Sequence, residues 1–143
     1  MNDNSDQYRA ARVEKAARLR ALGIDPFGSE PFVVTHSVEA ARALCPTYEA
    51  AAQEQLKGER VVVAGRVGNL RTAGKLWFAT LFDRSRANIY RQQQRAGTTD
   101  IDGAEAKKSR GIQLMLDFKT LGEQQWSVVS CLDLADWIGV SGK

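Results

Sequence analysis

Arg66, Arg71, Lys75 and Phe78 stand close together in a stretch rich in β-branched and aromatic residues. A guanidinium is planar and either donates two parallel hydrogen bonds or stacks on a ring. Arg71 and Lys75 flank a turn at Gly74, where a cation can meet a phosphate or simply be solvated. Phe78 could offer a flat ring for stacking on a nucleobase, or it could fill a core from a half-buried strand. Its spacing leaves both readings open. A second cluster, Tyr90-Arg91-Gln92-Gln93-Gln94-Arg95, sets an aromatic among cations, which fits RNA contact or a solvated loop.

Other chemistry has little material. His36 is the single histidine, and Cys45 and Cys131 lie far apart with no C-x-x-C pair. A structural zinc site takes four such ligands, so neither a metal site nor a catalytic set is expected, and the cysteines read as buried thiols. The formal net charge is +3, and residues 86–110 carry that whole excess, with six basic against three acidic side chains. The apolar fraction of 43% and charged fraction of 26% are those of an ordinary globular domain. The polar start, Met1 to Gln7, has no apolar h-region, and no run reaches the ~18 apolar residues of a membrane span. The expected compartment is the cytoplasm, with no membrane partner.

These side chains must be positioned by a fold of mixed character. An alanine-rich helix is predicted from about Asp6 to Leu22, with Tyr8, Ala11, Lys15, Leu19 and Leu22 as its stripe. Gly23 can take the left-handed cap, and Pro26 forbids continuation. Pro31 to Thr35 reads as extended. Ser37 reads as the N-cap of a short helix ending near Leu44, and Tyr48 to Leu56 as another. The period then changes. Arg60 to Val67, Leu76 to Phe82 and Gly111 to Phe118 read as strands, the first two joined by a Thr72-Ala73-Gly74-Lys75 turn. Gly122 to Cys131 reads as a helix with Trp126, Val128 and Val129 inward, and Asp136 to Ser141 as a fourth strand. The fold class is α+β, mainly β. Residues 1–58 form a helical extension, and 59–143 form an OB-fold with a long insertion at 86–110. Three strands, a helix and a strand follow the order of that five-stranded Greek-key barrel. The barrel is expected to be truncated after strand four, which would leave an unpaired edge.

Several blocks carry a family resemblance. The first is Leu19-Arg20-Ala21-Leu22-Gly23-Ile24-Asp25-Pro26-Phe27, followed by Thr35-His36-Ser37. The second is Val63-Ala64-Gly65-Arg66, then Arg71, Gly74-Lys75, Phe78-Ala79-Thr80-Leu81 and Asp83-Arg84-Ser85. Gly111-Ile112-Gln113-Leu114 and Leu132-Asp133-Leu134-Ala135-Asp136-Trp137-Ile138-Gly139-Val140 continue in order. Together they resemble the N-terminal, anticodon-binding region of class II lysyl-tRNA synthetases, over roughly residues 8–143 apart from the basic segment.

The resemblance implies a tRNA(Lys) anticodon stem-loop as partner. The full-length enzyme would attach lysine to tRNA using ATP and magnesium and would typically be a homodimer. The catalytic domain is expected to lie outside this chain, which would then be catalytically inactive alone and hold no cofactor. It further implies that Phe78 stacks on the central anticodon base and that Arg66 contacts an anticodon base; Arg71 and Lys75 keep the two readings their place at the hairpin gives them, phosphate contact or solvation. Phe82 stands where the family commonly has a glutamine that reads a uridine edge. A phenyl ring cannot make those hydrogen bonds, so Gln113 is the substitute to consider. The alternatives are a free-standing OB-fold module for single-stranded nucleic acid, or a protein-interaction or dimerisation piece.

Overall fold

A computed structural model describes residues 3–44, 59–85, 95 and 111–143. The expected helix at Tyr48–Leu56, Cys45 and, apart from Arg95, the basic segment lie outside the described residues. The elements in chain order are α1 (Asp3–Ala21), α2 (Val38–Ala43), β1 (Val61–Ala73), β2 (Leu76–Phe82), β3 (Ile112–Asp117), α3 (Phe118–Val129) and β4 (Trp137–Gly142). They divide between two compact units, residues 1–31 with 118–132 and residues 32–117 with 133–143.

In the first unit, α1 stops as expected. Gly23 has φ 77°. Its N–H donates to the Arg20 carbonyl at 2.9 Å, and the Ile24 N–H reaches the Leu19 carbonyl at 3.0 Å. That pair of bonds is a Schellman cap and satisfies carbonyls that the helix end would orphan. The predicted stripe is only partly covered: Leu19 and Lys15 are half-buried, while Tyr8 and Leu22 are exposed. The Arg18 guanidinium donates to Ser130 Oγ at 3.0 Å, tying α1 to the turn after α3. Phe118–Val129 is two helical pieces that meet at Gly122, whose φ 76° and ψ 174° are non-helical. The expected helix follows that glycine, a short helical turn from Phe118 precedes it, and Phe118 and Trp126 meet edge-to-face across the junction at 5.8 Å. Val129 and Cys131 are buried, and Cys131 is a free thiol.

The second unit is a four-stranded antiparallel sheet ordered β3-β2-β1-β4. β1 is longer than its Val-rich run. It pairs with β4 through Val61–Arg66 and with β2 from Arg66 to Ala73, so Thr72 and Ala73 belong to the strand and the turn is Gly74-Lys75 alone. One face is the core: Val63, Gly65, Val67, Ala79, Leu81 and Leu116 are buried. Val67 and Leu81 are the largest fully enclosed side chains, each contributing roughly 1.5–3 kcal/mol by leaving water. Helix α2 lies against β1 and β3 and buries Val38 and Ala41. Ser37 caps it, accepting from the Ala40 N–H at 3.1 Å.

Candidate nucleic-acid interface

The motif residues separate into scaffold and open face. Thr35 and His36 dock on β1 where β2 does not reach. Both their N–H groups donate to the Val62 carbonyl, at 2.9 and 3.2 Å, and Thr35 Oγ1 accepts the Val62 N–H at 2.8 Å. Asp83 Oδ2 accepts the Val38 N–H at 2.8 Å, and its Oδ1 accepts the Ser85 N–H at 2.9 Å and the Ser85 hydroxyl. The Asp-x-Ser element therefore clamps the start of α2. Gly65 admits the Phe82 carbonyl so closely that a Cβ there would collide with it.

The remaining motif residues share the face opposite the core. Cross-strand partners lie on one face of a sheet, so the register can be followed row by row. Arg71, Phe78 and Met115 form one row; Asn69, Thr80 and Gln113 form the next; Phe82, Arg66 and Trp137 form a third. A bulge creates this alignment. Gly68 has no partner between Val67 and Asn69, and an extra residue reverses the alternation beyond it. Arg66 and Arg71, five positions apart, would face opposite sides of a regular strand. The bulge puts them on the same side.

The expected residues take distinct places. Phe78 is half-buried between exposed Arg71 and exposed Met115. Lys75 sits in the hairpin turn that ends the face. Gln113 is exposed and lies diagonal to Phe82, about 7–8 Å away for such neighbours. The Phe82 ring covers Gly68 and Gly111, either of which would clash with it if given a Cβ. Arg66 is exposed but held: its Nε donates to the Ala135 carbonyl at 3.1 Å, and its guanidinium lies 5.5 Å from the centre of the Trp137 ring.

Met115 and Trp137, 67% and 69% exposed, join this face although no motif points to them. A signal for Trp137 does exist in the sequence. In Trp137-Ile138-Gly139-Val140-Ser141 the small residues alternate on its side and the aliphatic ones on the other, which puts Trp137 on the face opposite the core, where the Phe32 ring lies over Gly139.

Among the described residues, no group of three or more His, Cys, Asp or Glu side chains could hold a metal ion, and no helix is long and apolar enough to cross a membrane.

An antiparallel sheet with one packed face and one face of aromatic and cationic side chains defines the class of module. No family model matches the chain. It is similar to the lysine–tRNA ligase of Moorella thermoacetica, 31% identical over 134 residues, or 94% of the chain and 21% of that protein. It is likewise similar to that of Latilactobacillus sakei, 31% identical over 141 residues, 97% and 22%. For the Streptococcus pneumoniae enzyme the figures are 32% over 145 positions, 100% and 23%. The chain spans about a fifth of the length of these curated relatives. Over nearly its whole length the chain is homologous to one part of these lysine–tRNA ligases.

Proposed function

We propose that this chain binds the anticodon stem-loop of lysine tRNA through the open face of its sheet, as the anticodon-binding part of a class II lysine–tRNA ligase. The carrying observation is the alignment of Arg66, Arg71, Phe78, Phe82 and Gln113 on one face, with Lys75 at its end. The homology supports the same reading. Anticodon bases are unstacked, so a protein reads them by stacking and by hydrogen bonds to their edges. Phe78 supplies the ring, Arg66 and Gln113 supply donors for base edges, and Arg71 and Lys75 meet the backbone. Phe82 acts mainly through its packing on Gly68 and Gly111, which leaves edge reading to Gln113 diagonally beside it.

The sheet itself reads as an OB-like fold. A long bent β1 shared by β2 and β4, with a helix between β3 and β4, suits that barrel. The whole enzyme would join lysine to its tRNA using ATP and magnesium, probed by assay of the longer protein, and none of the described residues is assigned to that chemistry.

The test is titration of a labelled lysine-tRNA anticodon stem-loop against an unrelated stem-loop of equal length. Preference for the lysine sequence is expected. Equal affinity would favour a general single-strand binder, and no binding to either would remove the nucleic-acid reading.

A further inference from the structure

Trp137 is 69% exposed and stands on the sheet face opposite the core, in the row of Arg66 and Phe82. It opens β4 directly beside Arg66, and its ring is backed by that guanidinium at 5.5 Å. The turn that delivers it is closely specified. The Asp133 N–H donates to Asp136 Oδ2 at 2.7 Å. The Ala135 N–H donates to the Val67 carbonyl at 2.7 Å, and the Val67 N–H donates to the Asp136 carbonyl at 2.9 Å. Ala135 is held at φ 73°, the single non-glycine residue with positive φ among those described. A side chain in that region is uncommon, and observed backbone outliers tend to mark functional positions. Here the outlier presents the carbonyl that fixes Arg66 Nε. Arg66 and Trp137 are thus oriented before any ligand arrives.

We propose that Trp137, backed by Arg66, is a second stacking platform on this face and takes an unpaired nucleobase of single-stranded RNA in addition to the base at Phe78. The proposal rests on the nucleic-acid reading above. Strand geometry puts Phe78 and Trp137 roughly 16 Å apart, from about 3.3 Å per residue along β2 and about 4.8 Å between strands. That span fits two splayed bases of one loop, within the roughly 4–16 nucleotides that OB-type sites cover. Arg66 then serves two roles: it rigidifies the tryptophan and keeps its remaining N–H groups for a base edge or phosphate.

The test uses the full chain and the labelled lysine-tRNA anticodon stem-loop. Replacing Trp137 by leucine should weaken binding about 5- to 150-fold, the range for removal of one base–aromatic stack, while Trp137→Phe keeps most of the affinity. Tryptophan emission should be quenched on saturation with RNA, and most of that quenching should vanish in Trp137→Phe at matched saturation. Quenching reports stacking itself, which a purely structural tryptophan would not show. If the unaltered chain binds no stem-loop, the proposed function and this inference fall together. If it binds while Trp137→Leu keeps full affinity, or while quenching persists in Trp137→Phe, this inference alone is overturned.

Discussion

The Asp83 carboxylate sits at the start of α2, where its Oδ2 accepts the Val38 N–H at 2.8 Å across 45 residues of sequence. The first N–H groups of a helix lack intrahelical partners, and an anion is favoured there. Ser85 satisfies the other carboxylate oxygen. Asp83→Ala would leave partly buried donors unpaired and should cost roughly 2–4 kcal/mol. Urea denaturation should show a lower midpoint with an unchanged slope. A midpoint equal to that of the unaltered chain would show that the clamp contributes nothing.

Gly111 and Gly23 both have positive φ, 76° and 77°, yet they should respond differently to alanine. Nothing lies within 4 Å of a methyl at Gly23, so Gly23→Ala carries only the left-handed penalty, about 1–2 kcal/mol. A methyl at Gly111 would fall 2.5 Å from the Leu81 carbonyl oxygen and 2.9 Å from the Phe82 ring. Gly111→Ala should therefore lose more than Gly23→Ala by at least about 1 kcal/mol. Thermal unfolding of the two variants side by side checks the ranking, and equal losses would contradict the close approach.

Much of this is legible in the sequence where local chemistry decides. Gly23 as helix cap, Ser37 as N-cap and the bounds of β2 follow from residue type over a few positions. The reach of β1 does not, because Gly68 and Asn69 look like turn residues and only pairing with Thr80 and Ala79 keeps the strand going. The shared face of Arg66 and Arg71 depends on that same bulge. The partners of Arg66, Ala135 and Trp137, lie some 70 residues away along the chain, beyond any local pattern. Glycine punctuates helices, so residue type alone makes Gly122 a helix start. A helix does start after it, and what local pattern misses is the helical turn from Phe118 before it, where Phe118 packs on Trp126.

Phe78 occupies the middle of its row, flanked by Arg71 on β1 and Met115 on β3. It belongs to the face opposite Val67 and Leu81, so its ring can be removed without opening a cavity in the core. Phe78→Ala should weaken binding of the lysine-tRNA anticodon stem-loop by about 1–3 kcal/mol, with a much smaller change in folding stability. Fluorescence anisotropy with the labelled stem-loop measures the first and urea denaturation the second. Unchanged affinity would take Phe78 out of the site, and a stability loss as large as that of a core truncation would return it to a packing role.

Arg71 and Lys75 bracket the Gly74 turn at one end of the face, away from the turn at 133–136 that fixes Arg66. Their proposed partners are phosphates, which attract without regard to sequence. A cation that neutralises one phosphate releases condensed counterions, so the affinity should fall linearly with salt on logarithmic axes. Replacing either Arg71 or Lys75 by alanine should weaken lysine and unrelated stem-loops by similar factors. It should also reduce the salt slope by about 0.7–1 for each phosphate no longer neutralised. Arg66→Ala should behave otherwise, narrowing the preference for the lysine sequence because it removes a donor aimed at a base edge as well as the support of Trp137. Titrations of both stem-loops at several salt concentrations separate the two patterns. An Arg71 variant without sequence preference but with its salt slope intact would exchange these assignments, making Arg71 a base reader and the far end of the sheet the backbone-binding end.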